Sequence, residues 1–510
     1  MLQSLWFQIG AVLVLAAGVI LLTGCASRGV PLRPTYGIEN DPPKNAALGD
    51  SWYIESRPVG GKPYSCSFVE FDERGDYVDF QQQRRSWQKI KELSYDHKEE
   101  LLFVIYCHGW KNNAQSDDVV RFNRFLGRLA SSAEIQRLSL RVHGLYLAWR
   151  GNSFKHALDT GSEEFQQTVK DFGAPIVDDK YRRKLPFLLW LPEQLSYWSR
   201  KGAAEAKVSG VPIARTIFTC ANAARHFSPP GRTNRVFVIG HSFGALMLER
   251  SLGQASVGAL TSEWPWEFKS ANKPADVVPP RNPLPFDCVL FVNSAAPSIY
   301  SKQLSDLLWA HKNALANAHL KDADAPVIIS VTSKADWATR YAHRWANLFA
   351  GWTPSLWRSY TNGVLKDHTR TNGTVIVVPQ AYFYEHTPGH NPLLVDHWIV
   401  RAEPEDTQEP PPDNDPVKVL AYNLNFATQT PEIFYTSLAK AQVPLGWKIG
   451  RNSVPQGWSQ YEGRLPVQRG DYWIIRCDKP LIRGHNDVWS TATMELYAAL
   501  FRLAELTREK

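Results

Sequence analysis

"RVFVIGHSFGALMLER", residues 235–250, decides how the chain is read. Val236-Phe237-Val238-Ile239 is a run of β-formers, and it ends at Gly240-His241-Ser242-Phe243-Gly244. A helix-forming stretch, "GALMLERSL", follows at once. A strand that passes straight into a helix needs a sharp elbow, in which larger side chains at the flanking glycines would clash. Such an elbow lifts the central serine hydroxyl above the sheet edge, where the helix directs its positive end at it. The pentapeptide alone arises by chance, and here the strand before it and the helix after it supply the context. The bland alternative for Ser242 is a tight packing turn without chemistry.

Outward from this point the chain alternates strand and helix patterns. Strand-like runs occur in "CSFVEFDERG", "LLFVIYCHG" (101–109), "LRVHGLYLAWRG" (140–151), "DCVLFVNSA" (287–295), "PVIISVTS" (326–333) and "DYWIIRCD" (471–478). Between them, 117–130 places Val119, Phe122, Leu126 and Leu129 on one helical face. Residues 213–227, 301–315, 337–349 and 490–506 carry further helical patterns. The strands are continuously apolar, as they are when both faces of a sheet are covered. The expectation is an α/β fold with a doubly wound, mainly parallel sheet. Two stretches interrupt the alternation. Residues 152–200, with Phe187, Trp190, Leu191 and Trp198, read equally as a lid over an acyl pocket or as a helix covering the sheet. Residues 351–465 form an insertion with the acidic, proline-rich "EPEDTQEPPPDNDP".

The ends and the composition bound the setting. Residues 11–22, "AVLVLAAGVILL", are an uncharged apolar run of signal-peptide length, and "LTGC" closes it at Cys25. The ending resembles a bacterial lipobox, which implies a signal peptide over 1–24, lipidation of Cys25 and a tether over 25–60. An uncleaved membrane anchor is the other reading, since "MLQSLWFQIG" has no Lys or Arg. Either way the body lies outside the cytoplasm, and Ala26 after the cysteine implies the outer membrane. The other five cysteines form an odd set, several within apolar runs; buried free thiols are the default expectation, with one disulfide of unassigned pairing as the alternative. The composition, 44% hydrophobic and 21% charged, is that of a folded globular protein. The formal charge of +7 is spread along the chain, so nucleic acid is not an expected partner, and a weak attraction to anionic lipid headgroups is as much as the charge allows.

A serine nucleophile needs a base, and the base needs an orienting acid. In doubly wound hydrolases these follow the serine in the order acid, histidine, after later strands. Asp336 fits the acid, because "PVIISVTSKAD" delivers it at the end of a strand, with Asp322, Asp324 and Asp487 as rivals. His485 fits the base, in "GHNDVW" between the last strand and the last helix. His386, His390 and His397 compete for that role; with Glu385 they match no strong metal template and read as the polar wall of an insertion. The oxyanion donors are expected to be the amides of Phe243 and of Trp110, in "YCHGWKNNA" after the third strand. His108 there reads as a loop-bracing residue, as does His241 in the elbow. No metal or cofactor is expected.

With "HGW-NNA", "WRG", "GHSFG" and "GHNDVW" in hand, the chain resembles the α/β-hydrolase superfamily, in a bacterial branch. The similarity covers roughly 64–350 and 466–510, so the hydrolase core is expected over 61–350, completed by the last strand, histidine loop and helix of 466–510. The resemblance implies acyl-transfer chemistry by Ser242, His485 and Asp336 on a carboxylic ester. A lipase or phospholipase acting on membrane lipid is the nearest alternative. A catalytically silent envelope binding protein is another.

Overall fold

Apolar runs covered on both faces become parallel strands, and the register of those strands positions everything that follows. The computed structural model describes residues 31–35, 51–95, 99–110, 112–151, 201–228, 233–261, 284–305, 327–343, 364–367, 376–391, 394–395, 397–401, 447–451, 472–477, 479 and 481–506. The signal peptide with Cys25, the aromatic stretch 152–200, the acidic proline-rich loop, Asp322 and Asp324 lie outside these residues.

The strands are β1 (Tyr53–Ser56), β2 (Tyr64–Phe71), β3 (Glu100–Cys107), β4 (Leu140–Trp149), β5 (Arg235–His241), β6 (Cys288–Val292), β7 (Ile328–Ser333), β8 (Val364–Asp367), β9 (Ile376–Pro379), β10 (His397–Arg401), β11 (Trp447–Arg451) and β12 (Tyr472–Cys477). Ten of them make one sheet in the order β1-β2-β4-β3-β5-β6-β7-β12-β10-β11, and β8 pairs with β9 apart from it. The two edge strands run antiparallel to their neighbours, and the eight between them are parallel. The fold is therefore α/β with a mainly parallel sheet.

Five helices matter for the site: α1 (Phe80–Ser94), α2 (Asp117–Ser131), α3 (Val211–His226), α4 (Phe243–Thr261) and α5 (Thr491–Leu506). Strand alternation sends β3 side chains to two cores. Leu102, Val104 and Tyr106 pack with Phe122 and Leu126 of α2 and Tyr497 and Phe501 of α5. Leu101, Phe103 and Ile105 pack on the other face with Ile90 of α1, Ile217 of α3 and Leu246 of α4. The sheet is doubly wound. The chain leaves β3 towards β4 on one side and re-enters at β5 on the other, so the C-terminal ends of β3 and β5 border a topological switch point, where crevices open in such sheets.

Two stretches differ from their sequence reading. Within the expected tether 25–60, residues 31–35 dock on the body and β1 joins the sheet. Leu32 and Arg33 donate their amides to the Glu70 carboxylate (3.0 and 2.8 Å), and the buried Arg33 guanidinium lies over the Phe68 ring. A proline- and glycine-rich composition indicates absence of periodicity, and it says nothing of a single arginine that caps open carbonyls. The insertion 351–465 likewise supplies β10 and β11 to the main sheet, strands too short to stand out in one sequence. Among the described residues no helix is long and apolar enough to cross a membrane. The five cysteines Cys66, Cys107, Cys220, Cys288 and Cys477 are buried and free.

His143, wholly buried on β4, gives the fold a pH dependence. Ser65 and Ser67 bracket its ring at 2.8 and 3.1 Å. Burial, then the nearby Lys89 and Arg141 charges, push its pKa down to about 3. The unfolded chain binds a proton there below about pH 6.5 and the folded protein does not. Stability therefore falls as pH drops from about 6.5 towards 3, by about 1.4 kcal/mol per pH unit. In His143→Gln, urea unfolding measured from about pH 5.5 to 4 is expected to lose that much of its slope; an unchanged slope refutes the assignment.

Candidate functional site

Ser242 is held in a backbone conformation that non-glycine residues rarely occupy, with φ +55°. Three backbone hydrogen bonds hold it there. Its amide donates to the Val292 carbonyl (3.0 Å), and its carbonyl accepts from Leu246 (3.1 Å) and Ala295 (3.2 Å). The flanking glycines are explained by contact. A Cβ on Gly244 would lie 2.1 Å from the Cys107 carbonyl oxygen, and one on Gly240 would lie 2.7 Å from the Ala245 Cα. The loop after β3 presses on the elbow from the other side: a Cβ on Gly109 would stand 2.9 Å from the Ser242 Cβ.

The structure brings the three predicted side chains together. Ser242 Oγ lies 2.8 Å from His485 Nε2, and His485 Nδ1 lies 3.0 Å from each carboxylate oxygen of Asp336. A carboxylate only accepts, so Nδ1 carries the proton and Nε2 is left to accept from the serine hydroxyl. Asp336 is fully buried, and Thr339 donates to it through its amide (3.1 Å) and its hydroxyl (2.6 Å). Burial by itself pushes this carboxyl up. The facing His485, with the Thr339 donors, outweighs burial and holds the pKa below the usual aspartate value.

The rivals fall elsewhere. Asp487 accepts from the Arg483 amide (3.0 Å) within its own loop. His390 is buried, and burial, first among its causes, lowers its pKa to about 3. The His386 carbonyl accepts from the Ser298 amide (2.8 Å), and His397 opens β10. No group of three or more His, Cys, Asp or Glu among the described residues is placed to hold a metal ion. His108 braces its loop as expected: Nε2 accepts from the Trp149 amide (3.1 Å), so Nδ1 donates to the Gly109 carbonyl (2.8 Å). Burial lowers its pKa to about 4, which keeps it neutral.

His241 braces the histidine loop, in keeping with its sequence reading, and sequence reasoning missed its partner there, Asn293. The His485 carbonyl accepts from His241 Nε2 (2.8 Å) and from Asn293 Nδ2 (3.2 Å). Asn293 also donates to the Gly484 carbonyl (3.3 Å) and accepts from the Ser333 amide (3.0 Å). It thereby ties the histidine loop to the end of β7, three residues before Asp336. Its own φ is +46°, a value that asparagine tolerates better than most residues. Farther along the same loop, Trp489 donates to Asp118 (2.8 Å), which also accepts from Tyr146 (3.0 Å). The available signal was an asparagine directly after the apolar run of β6, at the rim where the other loops end.

Of the two amides expected to face an oxyanion, Phe243 begins α4 and Trp110 follows Gly109 in the abutting loop; their rings lie 6.4 Å apart. In thermal and urea unfolding, Gly244→Ala is expected to cost about 1–3 kcal/mol through overpacking against β3. Gly253→Ala, farther along α4 where a Cβ meets nothing, is expected to add up to about 1 kcal/mol. If the two substitutions prove equivalent, the elbow is not packed as described. No protein-family model matches the chain, and neither a curated protein nor a solved structure matches it significantly.

Proposed function

We propose that the chain is a serine hydrolase with the α/β-hydrolase fold, tethered to a membrane through Cys25, that cleaves carboxylic esters by way of an acyl-enzyme. The single observation that carries this reading is the unbroken line Ser242–His485–Asp336 at a strained strand-to-helix elbow. A packing turn needs neither the strained φ nor a histidine on the hydroxyl.

In the proposed reaction, Ser242 Oγ attacks the ester carbonyl while His485 Nε2 takes its proton. Asp336 holds the tautomer and stabilises the imidazolium that forms. The amides of Phe243 and Trp110 receive the negative charge developing on the carbonyl oxygen. Each such donor is worth roughly 3 kcal/mol of transition-state stabilisation. Collapse of the tetrahedral species breaks the C–O bond to the leaving alcohol, which departs with the proton from His485. Water then attacks the acyl-serine, gives its proton to His485, and the acid leaves as Ser242 is reprotonated. The close approach of Gly109 to the elbow supports the Trp110 role, because it brings the two loops within reach of one oxygen.

Ser242→Ala is expected to abolish p-nitrophenyl ester turnover and fluorophosphonate labelling while the protein stays folded; a retained rate refutes the reading and favours a silent binding protein. Asp336→Asn is expected to lose about 10⁴-fold in kcat, since the wrong tautomer is then favoured. Asn293→Gly keeps the left-handed backbone and removes the tie to the histidine loop. Its kcat is expected to fall about tenfold with KM near that of the wild type, while the partners left unpaired cost about 1–3 kcal/mol in urea unfolding. An unchanged kcat in the folded variant would make Asn293 merely structural.

A further inference from the structure

The segment at 31–35 docks at one particular place. Its partners are Glu70 near the end of β2, Asp79 and Gln82 at the start of α1, and Ala114 and Gln115 in the loop after β3. Arg33 Nε donates to the Ala114 carbonyl (2.6 Å), and Gln115 donates to the Leu32 carbonyl (3.1 Å). Gln82 donates to the Arg33 carbonyl (2.7 Å), and the Thr35 hydroxyl donates to Asp79 (2.6 Å). All of these lie at the C-terminal rim of the parallel sheet, the rim that carries Ser242, Asp336 and His485. The chain from Cys25 to Pro31 reaches at most about 20 Å even when fully extended. That is shorter than the roughly 26 Å length of an eight-residue strand, so an anchor at Cys25 cannot seat the opposite edge on a bilayer.

Exposed apolar side chains have the same asymmetry. In a parallel βα unit the helix begins at the C-terminal ends of the strands. Phe80 starts α1 and Val211 starts α3, and both are exposed at this rim. They adjoin: Tyr77 packs its ring 5.4 Å from Phe80 and donates its hydroxyl to the carbonyl of Pro212. Trp337 (65% exposed) and Tyr341 follow Asp336 directly, with the Arg340 guanidinium 5.1 Å from the Tyr341 ring. Tryptophan, tyrosine and arginine together are side chains that settle at a headgroup boundary, with an apolar body and a polar or charged tip. The opposite edge exposes Val59 in the β1–β2 turn and Tyr95 at the end of α1.

We propose that the C-terminal rim is a membrane-docking surface. Acylated Cys25, held short by the docked segment 31–35, seats Phe80, Val211, Trp337 and Tyr341 at the bilayer surface and presents Ser242 to an acyl ester carried by a membrane lipid. The substrate class rests on the hydrolase reading above, and the docking rests on the lipid anchor and the rim alone.

The test uses the full-length acylated protein in phosphatidylethanolamine/phosphatidylglycerol vesicles. With the other cysteines buried or acylated, Tyr341→Cys and Tyr95→Cys can each be labelled with a fluorophore. Doxyl-labelled lipid is expected to quench the label at 341 and not at 95. Equal or reversed quenching overturns the docking, whatever the activity. In a second arm, Phe80→Ser/Val211→Ser/Tyr341→Ser is expected to keep the wild-type rate on soluble p-nitrophenyl acetate. It is expected to cleave vesicle-borne acyl lipid at least about tenfold more slowly, and Val59→Ser/Tyr95→Ser to change neither rate. Turnover of the soluble ester with no hydrolysis of vesicle lipid overturns the substrate class. Rim quenching with neither ester cleaved overturns the hydrolase reading and leaves the docking standing.

Discussion

The candidate site depends on one forced backbone conformation, the left-handed turn at Ser242 between β5 and α4. A strand in the middle of a sheet cannot pass directly into a helix packed on that sheet unless one residue reverses the chain, and the reversal brings Gly244 onto the carbonyl end of β3. Serine carries the strain because its carbonyl and amide are each held by neighbouring backbone, from α4, from β6 and from the loop after β6. Strain of this kind persists only where the surroundings over-determine it. Here the surroundings are the central strands themselves.

From that turn the other loops are placed by mutual contact. The elbow's own His241 holds the carbonyl of His485, Asn293 holds the same carbonyl together with the end of β7, and Gly109 lets the loop after β3 close on the serine. Each contact joins two loops that end different strands, so the histidine is positioned by the sheet and only indirectly by its own segment. His241 and His108, whose pKa values are lowered to about 4 chiefly by burial, add no competing positive charge beside the hydroxyl and the buried carboxylate.

The same rim receives the N-terminal segment. Arg33 leaves bulk water only because two carbonyls, an aromatic face and the nearby Glu70 compensate it. Under the proposed lipid anchor, such a fixed attachment leaves only a short strap, and a short strap constrains orientation where a long flexible one does not. The candidate site, the docked segment and the exposed aromatics share one edge because the helices that follow parallel strands begin there, along with the loops that carry Ser242, Asp336 and His485.

Period and chain order were enough to read the alternation of strands and helices, the two-sided cover of the sheet, and the candidates Ser242, Asp336 and His485. Those signals are local: continuous apolar runs, a glycine-flanked serine at a strand end, and polar residues directly after later strands. Asn293 directly follows β6 and so carried the same signal, but its partners did not show; Asp118, Arg33 and the addition of β10 and β11 to the sheet could not be read this way. Each acts on residues distant in the chain, and an isolated asparagine, aspartate or arginine has the same appearance whether it is solvated or bridges two loops. Only the tertiary structure brings such groups into register, because hydrogen bonds between loops are set by the spacing of neighbouring strands, which one sequence does not encode in any local pattern.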